Sequence, residues 1–364
     1  MQDRLTIQDI ARLAGVSKAT VSRVLNRNVP VSSELSERVM RIVQEHGFVP
    51  NVTATGLAGG KTRLVGVLAP PLTWAGIPEM LRGVAEYIED TSYEIVLYSI
   101  RFERNHSDVL ERILSMRMIS GLLAILPGEL SRSLEAHFEQ GLPLVVIDDQ
   151  ERPRPIPWVG INNVSGAYDA TRYLLDLGHR RIAYLQGPAD YYCVAERYQG
   201  YVQALREAGL EPDPQLIFQG RFDEPSGHEC ATELFSRARE TWPSAIFASN
   251  DQMAYGVLHV AEQRGVRVPE EVALIGFDDN QLSVHMRPPL TTIRQPFFEM
   301  GYKAIEWLLT MVDPDHRSLA DQAIHPVLEV EGVPANLADP QLKRLQLSTS
   351  LVIRASSGGT YHAR

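Results

Sequence analysis

Near the N-terminus, Lys18 and Arg23 carry side chains well suited to reading DNA bases, and Ala19 lies between them. Arginine hydrogen-bonds guanine through two donors, lysine reaches guanine or phosphate, and an alanine methyl group packs on the methyl group of thymine. Hydroxyl groups and backbone amides around such residues bind phosphate oxygens. Here the hydroxyl groups belong to Ser17, Thr20 and Ser22. The pattern predicts a helix that presents its first turns to a major groove.

Two short helices joined at a glycine are predicted to position these side chains. Thr6 has the sequence context of an N-cap, Asp9 follows three residues later as in a capping box, and Gly15 stands at a natural helix end. Ser17 is predicted to cap the second helix. A third stretch, with apolar residues at helical spacing, ends just before Gly47. Together the three helices predict a helix-turn-helix unit.

The charge of the chain is distributed unevenly. Residues 1–63 contain nine Lys and Arg against five Asp and Glu, whereas the whole chain contains 35 against 45 and has a net charge of −10. A basic head on an acidic body suits a protein whose N-terminal part meets phosphates. Ordinary scatter would also produce this imbalance, so the charge supports the helix-turn-helix prediction without deciding it.

From residue 63 onward, short apolar runs alternate with helical patterns. Such alternation is typical of parallel sheets covered by helices on both faces, and strand ends in these sheets carry ligand groups. The predicted strands are residues 64–69, 94–99, 121–126, 144–148, 158–161, 181–186, 245–248 and 272–276. The predicted helices are residues 78–91, 103–118, 166–177, 196–208, 227–238, 251–264 and 297–311.

The sequence of residues 6–26 resembles, almost without gaps, the head of the lactose/galactose repressor (LacI/GalR) family of sugar-responsive transcription repressors. Further segments of the body resemble the same family, among them residues 159–163, 177–183, 196–201, 249–256, 275–279 and 288–293. The resemblance implies an α plus α/β chain. A three-helix helix-turn-helix head (1–50) and a hinge (51–62) precede a two-lobed, periplasmic-binding-protein-like sensor (63–364).

The resemblance also implies lobe boundaries and further DNA contacts. The first lobe is expected at about 63–160 and 292–318, and the second at about 161–291 and 319–356. Thr6, Asn26 and Asn51 join the expected DNA-binding residues, and Leu57 is expected to wedge into the minor groove as the hinge folds on the operator. Thr55 stands where the family often has arginine, and Gly56 weakens a helix, so a plain flexible linker is the alternative.

For the ligand, the resemblance implies charged and amide groups at strand and helix ends, with an aromatic ring beside them. These positions are Asp148, Arg197, Phe222, Asn250 and Asp278. Charged and amide side chains bind neighbouring sugar hydroxyls, while an aromatic face packs under the ring. Each of these five positions also has a purely structural alternative. Asn250 or Asp251 caps a helix, Arg197 pairs with Glu196 or Glu207, and Phe222 is ordinary core.

One turn departs from the family pattern. After the first strand, residues 70–76 replace the family's Asn-Pro-Phe-like turn, so the first-lobe side of the pocket is not carried over. Trp74 in this turn either stacks on a sugar or packs against the protein. Residues 313–346 form a longer connection than expected before the last strand, and the sequence assigns them no function.

The expected partners are a palindromic operator, a small sugar-like effector and a second copy of the chain, because one helix-turn-helix reads too few bases to be selective. No cofactor, metal or membrane contact is expected, and two scattered cysteines with no apolar leader suggest the cytoplasm. A periplasmic binding protein would lack the head, and an enzyme would need a catalytic motif that we do not find. The alternative within the family is a corepressor-dependent regulator that responds to a nucleobase or a phosphoprotein.

Overall fold

A computed structural model describes residues 5–26, 32–48, 62–100, 107–149, 154–313, 338–339 and 344–358. The chain divides into two compact units, Met1–Thr62 and Arg63–Arg364. Asn51 and Leu57, which we predicted to contact DNA, lie outside the described residues.

The N-terminal unit contains three helices: α1 (Ile7–Ala14), α2 (Lys18–Asn26) and α3 (Ser33–Glu45). The predicted capping box is confirmed, because the Thr6 backbone N–H donates to Asp9 Oδ2 at 2.9 Å and the Asp9 backbone N–H donates back to Thr6 Oγ1. Gly15 ends α1 with φ of 64°, a left-handed conformation that glycine adopts at low cost. Ser17 Oγ accepts a hydrogen bond from the Thr20 backbone N–H at 3.1 Å, as an N-cap should.

A small apolar core holds these helices together. Ile10 and Val21 are fully buried and Val39 packs with them, so each helix contributes to the cluster. Leu13 shares the apolar spacing of α1 but is 47% exposed, so it lies outside this core.

The first lobe of the larger unit is built on a seven-stranded sheet. Its strands are β1 (Leu64–Ala69), β2 (Glu94–Ser99), β3 (Gly121–Ile125), β4 (Leu144–Ile147), β5 (Trp158–Ile161), β11 (Ala338–Asp339) and β12 (Arg344–Leu347). Their order is β11-β12-β5-β4-β3-β1-β2, and all neighbours except β11 and β12 are parallel.

Helices cover both faces of this sheet. They are α4 (Ile77–Glu89), α5 (Ser107–Ser115), α6 (Ser131–Glu139) and α11 (Phe297–Val312). Val67 of β1 packs with the buried residues of α4 and α11, whereas the next residue, Leu68, packs with those of α5 and α6. Because successive strand residues point to opposite faces, both faces of β1 are apolar and buried, as parallel sheets require.

The second lobe has a six-stranded sheet in the order β13-β10-β9-β8-β6-β7. The strands are β6 (Ile182–Gln186), β7 (Ile217–Gln219), β8 (Ala245–Ala248), β9 (Ala273–Asp278), β10 (Thr291–Arg294) and β13 (Ser350–Val352). Its helices are α7 (Asn163–Asp176), α8 (Tyr192–Glu207), α9 (Glu224–Ser236) and α10 (Asp251–Arg264). Buried residues of α7 and α8 pack on one face, and those of α9 and α10 on the other.

The described chain passes between the two sheets three times: between β5 and α7, between β10 and α11, and between β12 and β13. This path differs from the predicted lobe boundaries at two places. Residues 344–347, which we expected in the second lobe, pair with β5 in the first sheet, starting at Arg344 opposite Trp158. Residues 292–294, which we expected in the first lobe, pair with β9 in the second sheet. The first difference arises from strand pairing between distant segments, and the second from pairing between β9 and β10, which follow each other along the chain.

No helix in the described part of the chain is long and apolar enough to cross a membrane.

Candidate functional site

The candidate DNA-reading residues lie on the surface of the head. Lys18, Ala19 and Arg23 are all exposed, which agrees with the predicted outward orientation of this face of α2. Ser17 and Thr20 hydrogen-bond each other through their hydroxyl groups at 2.9 Å, so the start of α2 is a fixed local structure. Thr6 contributes its hydroxyl group to the cap of α1, donating to Asp9 Oδ2 at 2.7 Å. Their contacts with DNA stay a prediction.

In the larger unit, two predicted ligand carboxylates follow the carboxyl ends of parallel strands. Asp148 comes directly after β4 with φ of 51°, and Asp278 ends β9 with φ of 124°. Both values lie where residues with a Cβ atom are strained, and such strain is concentrated at functional sites. These strand ends belong to different lobes, and the charge of Asp148 raises the pKa of Asp278, so the two carboxylates lie near each other where the lobes meet, a place called the cleft below.

Arg197, on α8, is the buried cation of this cleft and is only 4% exposed. Its Nε donates to Asn163 Oδ1 at 2.9 Å and its Nη1 donates to the Ser249 carbonyl. The same Nη1 lies 3.9 Å from Asp278 Oδ1, and the guanidinium carbon lies 3.8 Å from the centre of the Phe277 ring. The guanidinium is therefore held rigidly beside a ligand-type carboxylate.

The two glutamates proposed as alternative partners of Arg197 have other hydrogen bonds. Glu196 Oε2 accepts from Asn163 Nδ2 at 3.0 Å, and Glu207 Oε2 accepts from the Tyr168 hydroxyl at 2.6 Å. Arg197 thus hydrogen-bonds Asn163 and the backbone of Ser249, and it is not anchored by either glutamate.

The charges of the cleft depend on one another. Burial raises the pKa of Asp278 to about 6, although the nearby Arg197 guanidinium and the hydrogen bond from Gln295 act in the opposite direction. Burial also raises the pKa of Asp148, although the hydrogen bond from the Asp149 backbone N–H and the positive charge of Arg197 both act to lower it. Because Arg197 acts on both carboxylates, it links Asp148 of the first lobe with Asp278 of the second.

Phe222 supplies the candidate aromatic face, at φ of 63° in the loop before α9. Its ring centre lies 5.8 Å from the Arg197 guanidinium carbon, and Tyr191 meets its ring edge to face at 5.8 Å. A Cβ atom at Gly187 would lie 2.3 Å from the ring, so glycine is needed there for this placement. Phe222 also packs against the core of the second lobe, so the structure supports a core contact as well as proximity to Arg197.

Asn250 is the N-cap of α10, so the capping interpretation is confirmed. Its Oδ1 accepts from the Met253 backbone N–H at 3.0 Å, and its Nδ2 donates to the Phe222 carbonyl at 2.9 Å. The side chain therefore joins the helix start to the loop that carries the aromatic ring. A primary amide has a second N–H to offer, and its use by a ligand stays a prediction.

Asp251, the next residue, is fully buried and structural. Its carboxyl group hydrogen-bonds the Ser283 hydroxyl at 2.6 Å, the Asn280 backbone N–H at 2.8 Å and the Thr292 hydroxyl. Burial raises the pKa of Asp251 to about 8, and the charge of Asp278 adds to this increase. Through these hydrogen bonds, Asp251 connects the start of α10 with the segment that follows Asp278.

Trp74 lies in the turn between β1 and α4, half-buried against the core of the first lobe. This contact fits the packing alternative, and stacking on a sugar stays a prediction. In the parts of the chain that the structure describes, no group of three or more His, Cys, Asp or Glu residues could hold a metal ion.

Three residues near the cleft were not predicted from the sequence. Asn163 accepts a hydrogen bond from Arg197, and Gln295 Nε2 donates a hydrogen bond to Asp278 at 2.7 Å. Cys193 lies one helical turn before Arg197, and burial raises the pKa of its thiol to about 12. Neither amide has a sequence signal of its own, because its role depends on which segments cross between the lobes.

Comparisons with known proteins agree with both units. Residues 6–51 match the family described as bacterial regulatory proteins, lacI family, and residues 171–357 match the periplasmic binding protein-like domain. The transcriptional repressor PurR of Vibrio atlanticus is 33% identical over 327 residues, which cover 88% of this chain and 96% of that protein.

Two solved structures extend the similarity to the fold. The lac repressor dimer bound to operator and an anti-inducer has a TM-score of 0.80 and 25% identity, covering 98% of this chain and 99% of the other. The complex of the transcriptional regulator CelR with cellobiose has a TM-score of 0.67 and 30% identity, and the match covers 97% of this chain and 100% of the CelR chain.

A helix-turn-helix head joined to a two-lobed α/β body defines a class of DNA-binding transcription regulators, and the proteins similar to this chain are regulators rather than enzymes. Within that class, the chain belongs to the LacI family and is a DNA-binding transcriptional repressor.

Proposed function

We propose that this repressor binds a palindromic operator as a homodimer and that a small sugar, bound between the lobes, releases it. The observation that carries the proposal is the grouping of Asp148, Arg197 and Asp278, with the Phe222 ring beside the guanidinium. Carboxylates accept hydrogen bonds from hydroxyl groups, a guanidinium donates to them, and a ring covers the apolar face of a pyranose.

The distribution of these groups over two lobes supports a response to the ligand. Asp148 belongs to the first lobe, whereas Arg197 and Asp278 belong to the second. A ligand that bonds to all three favours the closed arrangement, and a ligand shifts an equilibrium only by its difference in affinity for the two states. Lobe closure is therefore the expected signal to the DNA-binding head.

The operator side of the proposal rests on Lys18, Ala19 and Arg23, which the head exposes at the start of α2. One such helix contacts only a few base pairs, so two copies related by twofold symmetry are needed for a selective site. The lac repressor that this chain resembles was solved as a dimer on its operator. Leu282 and Val284 in the second lobe are 58% and 48% exposed, and we assign this apolar pair to contact with the second copy.

The test is a sugar screen followed by an operator titration. Thermal shift against mono- and disaccharides, with cellobiose included because CelR was solved with it, identifies a ligand. Operator affinity is then measured with and without that ligand at one salt concentration. Coupling of this kind amounts to about 5–150-fold, and operator DNA must weaken sugar binding by the same factor. If the sugar strengthens operator binding, the protein is corepressor-dependent, and if only a nucleobase binds, the sugar assignment is wrong.

A further inference from the structure

Two of the segments that pass between the lobes each place an amide side chain in the interior. Asn163 is the first residue of α7, directly after the passage from β5, and is 3% exposed. Gln295 lies between β10 and α11 and is 7% exposed. Segments of this kind are where the backbone absorbs the dihedral changes of lobe closure.

Each of these amides hydrogen-bonds one charged residue of the proposed sugar site. Asn163 Oδ1 accepts from Arg197 Nε at 2.9 Å, while its Nδ2 donates to Glu196 Oε2 at 3.0 Å. An amide can accept from a guanidinium and donate to a carboxylate at the same time, which neither an aspartate nor an apolar side chain can do. Asn163 therefore fixes the guanidinium relative to the first passage.

Gln295 makes the corresponding contact at the second passage. Its Nε2 donates to Asp278 Oδ1 at 2.7 Å, and its backbone N–H donates to the Asp278 carbonyl at 3.3 Å. Its Oε1 is buried, and among the described residues it has no hydrogen-bond partner. A buried acceptor in that condition gains from any rearrangement that brings a donor to it. The contact between Gln295 and Asp278 is thus open to change when the site is filled.

We propose that Asn163 and Gln295 are positioning residues that couple the charge state and hydrogen bonding of Arg197 and Asp278 to the angle between the lobes. The inference deepens the proposed function, since it concerns the same site. A ligand that bonds Asp278 or Arg197 competes for, or reorients, the group that each amide holds. Each amide transfers that change to the segment on which it lies, and the angle between the lobes changes as a result.

The experiment measures the distance between the lobes without any ligand. Spin labels are attached at Leu72→Cys in the first lobe and Leu177→Cys in the second, because both positions are exposed. Burial raises the pKa of the native thiols to about 12 for Cys193 and about 11 for Cys230, so they react slowly at pH 7. Protein without the two introduced cysteines measures any residual labelling.

The variants form a double-mutant cycle. Asp278→Asn imitates the loss of charge at the site, and Gln295→Met removes the amide while keeping the length of the side chain. We expect Asp278→Asn to shift or broaden the inter-lobe distance distribution of the parent. In the Gln295→Met background, the same substitution should produce at most half of that change. Asn163→Leu should reduce the effect of Arg197→Lys in the same way. Gln203→Met, which removes an exposed amide that bonds Glu207 on α8, is the matched control and should leave the cycle unchanged.

Equal effects of Asp278→Asn with and without Gln295, in folded proteins, overturn the proposal. If Gln295→Met does not fold, Gln295→Leu takes its place, since it too has no group that can donate to Asp278 and should uncouple the site equally. A purely structural amide would lower the melting temperature and leave the cycle additive. Because no sugar is used, a failed sugar screen and a failed positioning role are separate results.

Discussion

Arg197 Nη1 and Asp278 Oδ1 lie 3.9 Å apart, close enough for strong attraction but too far for a hydrogen bond. The same carboxylate oxygen accepts a hydrogen bond from Gln295 Nε2, and the guanidinium is held by Asn163 and the Ser249 carbonyl. Both charged groups are thus positioned by the protein while their mutual contact is left open. A hydroxyl group placed between them could accept from the guanidinium and donate to the carboxylate.

The first prediction concerns this pair. Asp278→Ala or Arg197→Ala should abolish the response to the effector while operator binding is retained, because both residues lie in the larger unit and belong to the proposed ligand site. Operator titration with and without the sugar measures the response. Arg206→Ala, which removes an exposed arginine from the same helix as Arg197, is the control and should respond as the parent does. Release of DNA by either site variant at the parent's sugar concentration would exclude that residue from the sensor.

The second prediction concerns the head. Arg23→Ala should weaken operator binding by about 1–3 kcal/mol if Arg23 reads a base, with sugar binding unchanged. Arg12→Ala is a suitable control, because Arg12 is also exposed on the head but pairs with Asp9 on its own helix. The measurement is operator affinity at one fixed salt concentration. An Arg23 variant that binds as tightly as the Arg12 variant would remove Arg23 from the readout.

The third prediction concerns the second copy. Leu282→Glu and Val284→Glu together should shift the protein from dimer to monomer, since they place two charges in an apolar contact. Light scattering during size-exclusion chromatography gives the mass directly. Leu177→Glu introduces a charge at an exposed leucine, 42% accessible, elsewhere on the second lobe, and it should leave the dimer intact. A dimer that persists in the double variant would place the interface on another surface.

Local structure was predictable from the sequence because its causes are local. The capping box of Thr6 and Asp9, the left-handed Gly15 and the strand ends at Asp148 and Asp278 all follow from residues a few positions apart. Strand β12 was assigned to the wrong lobe because its pairing with β5 joins segments almost two hundred residues apart. The spacing of apolar residues along one strand does not show which distant strand it pairs with.

The candidate site was predictable to the same degree. The charged residues stand at recognisable strand and helix ends, so their grouping could be expected from the family pattern. The amides that hold them could not, because Asn163 and Gln295 gain their roles from the paths of two segments between the lobes. Asn250 shows a further limit, since one side chain caps α10 and also fixes the Phe222 loop.

The last prediction concerns pH and Asp251, whose carboxyl group has an ordinary pKa of 3.8 and is raised to about 8 in the folded protein. Between pH 4 and pH 8 the folded state therefore retains a proton that the unfolded state has released. Stability consequently falls as pH rises through this range and becomes independent of this group above pH 8. Asp251→Asn keeps the shape and an acceptor oxygen but cannot ionise, so it should remove this part of the pH dependence.

The measurement is the melting temperature of parent and variant at pH 5 and pH 8. Each ~1 kcal/mol lost lowers the melting temperature of a domain of this size by about 2–4 °C, so the parent should lose at least a few degrees more than Asp251→Asn between the two pH values. Asp148 and Asp278 also have raised pKa values and are present in both proteins, so the comparison reports Asp251 together with its interaction with Asp278. Asp176→Asn, at an exposed aspartate paired with Arg172, should follow the parent. Parallel curves for parent and Asp251→Asn would mean that the Asp251 carboxylate is ionised in the folded protein, held by the hydroxyl groups of Ser283 and Thr292 and the Asn280 amide.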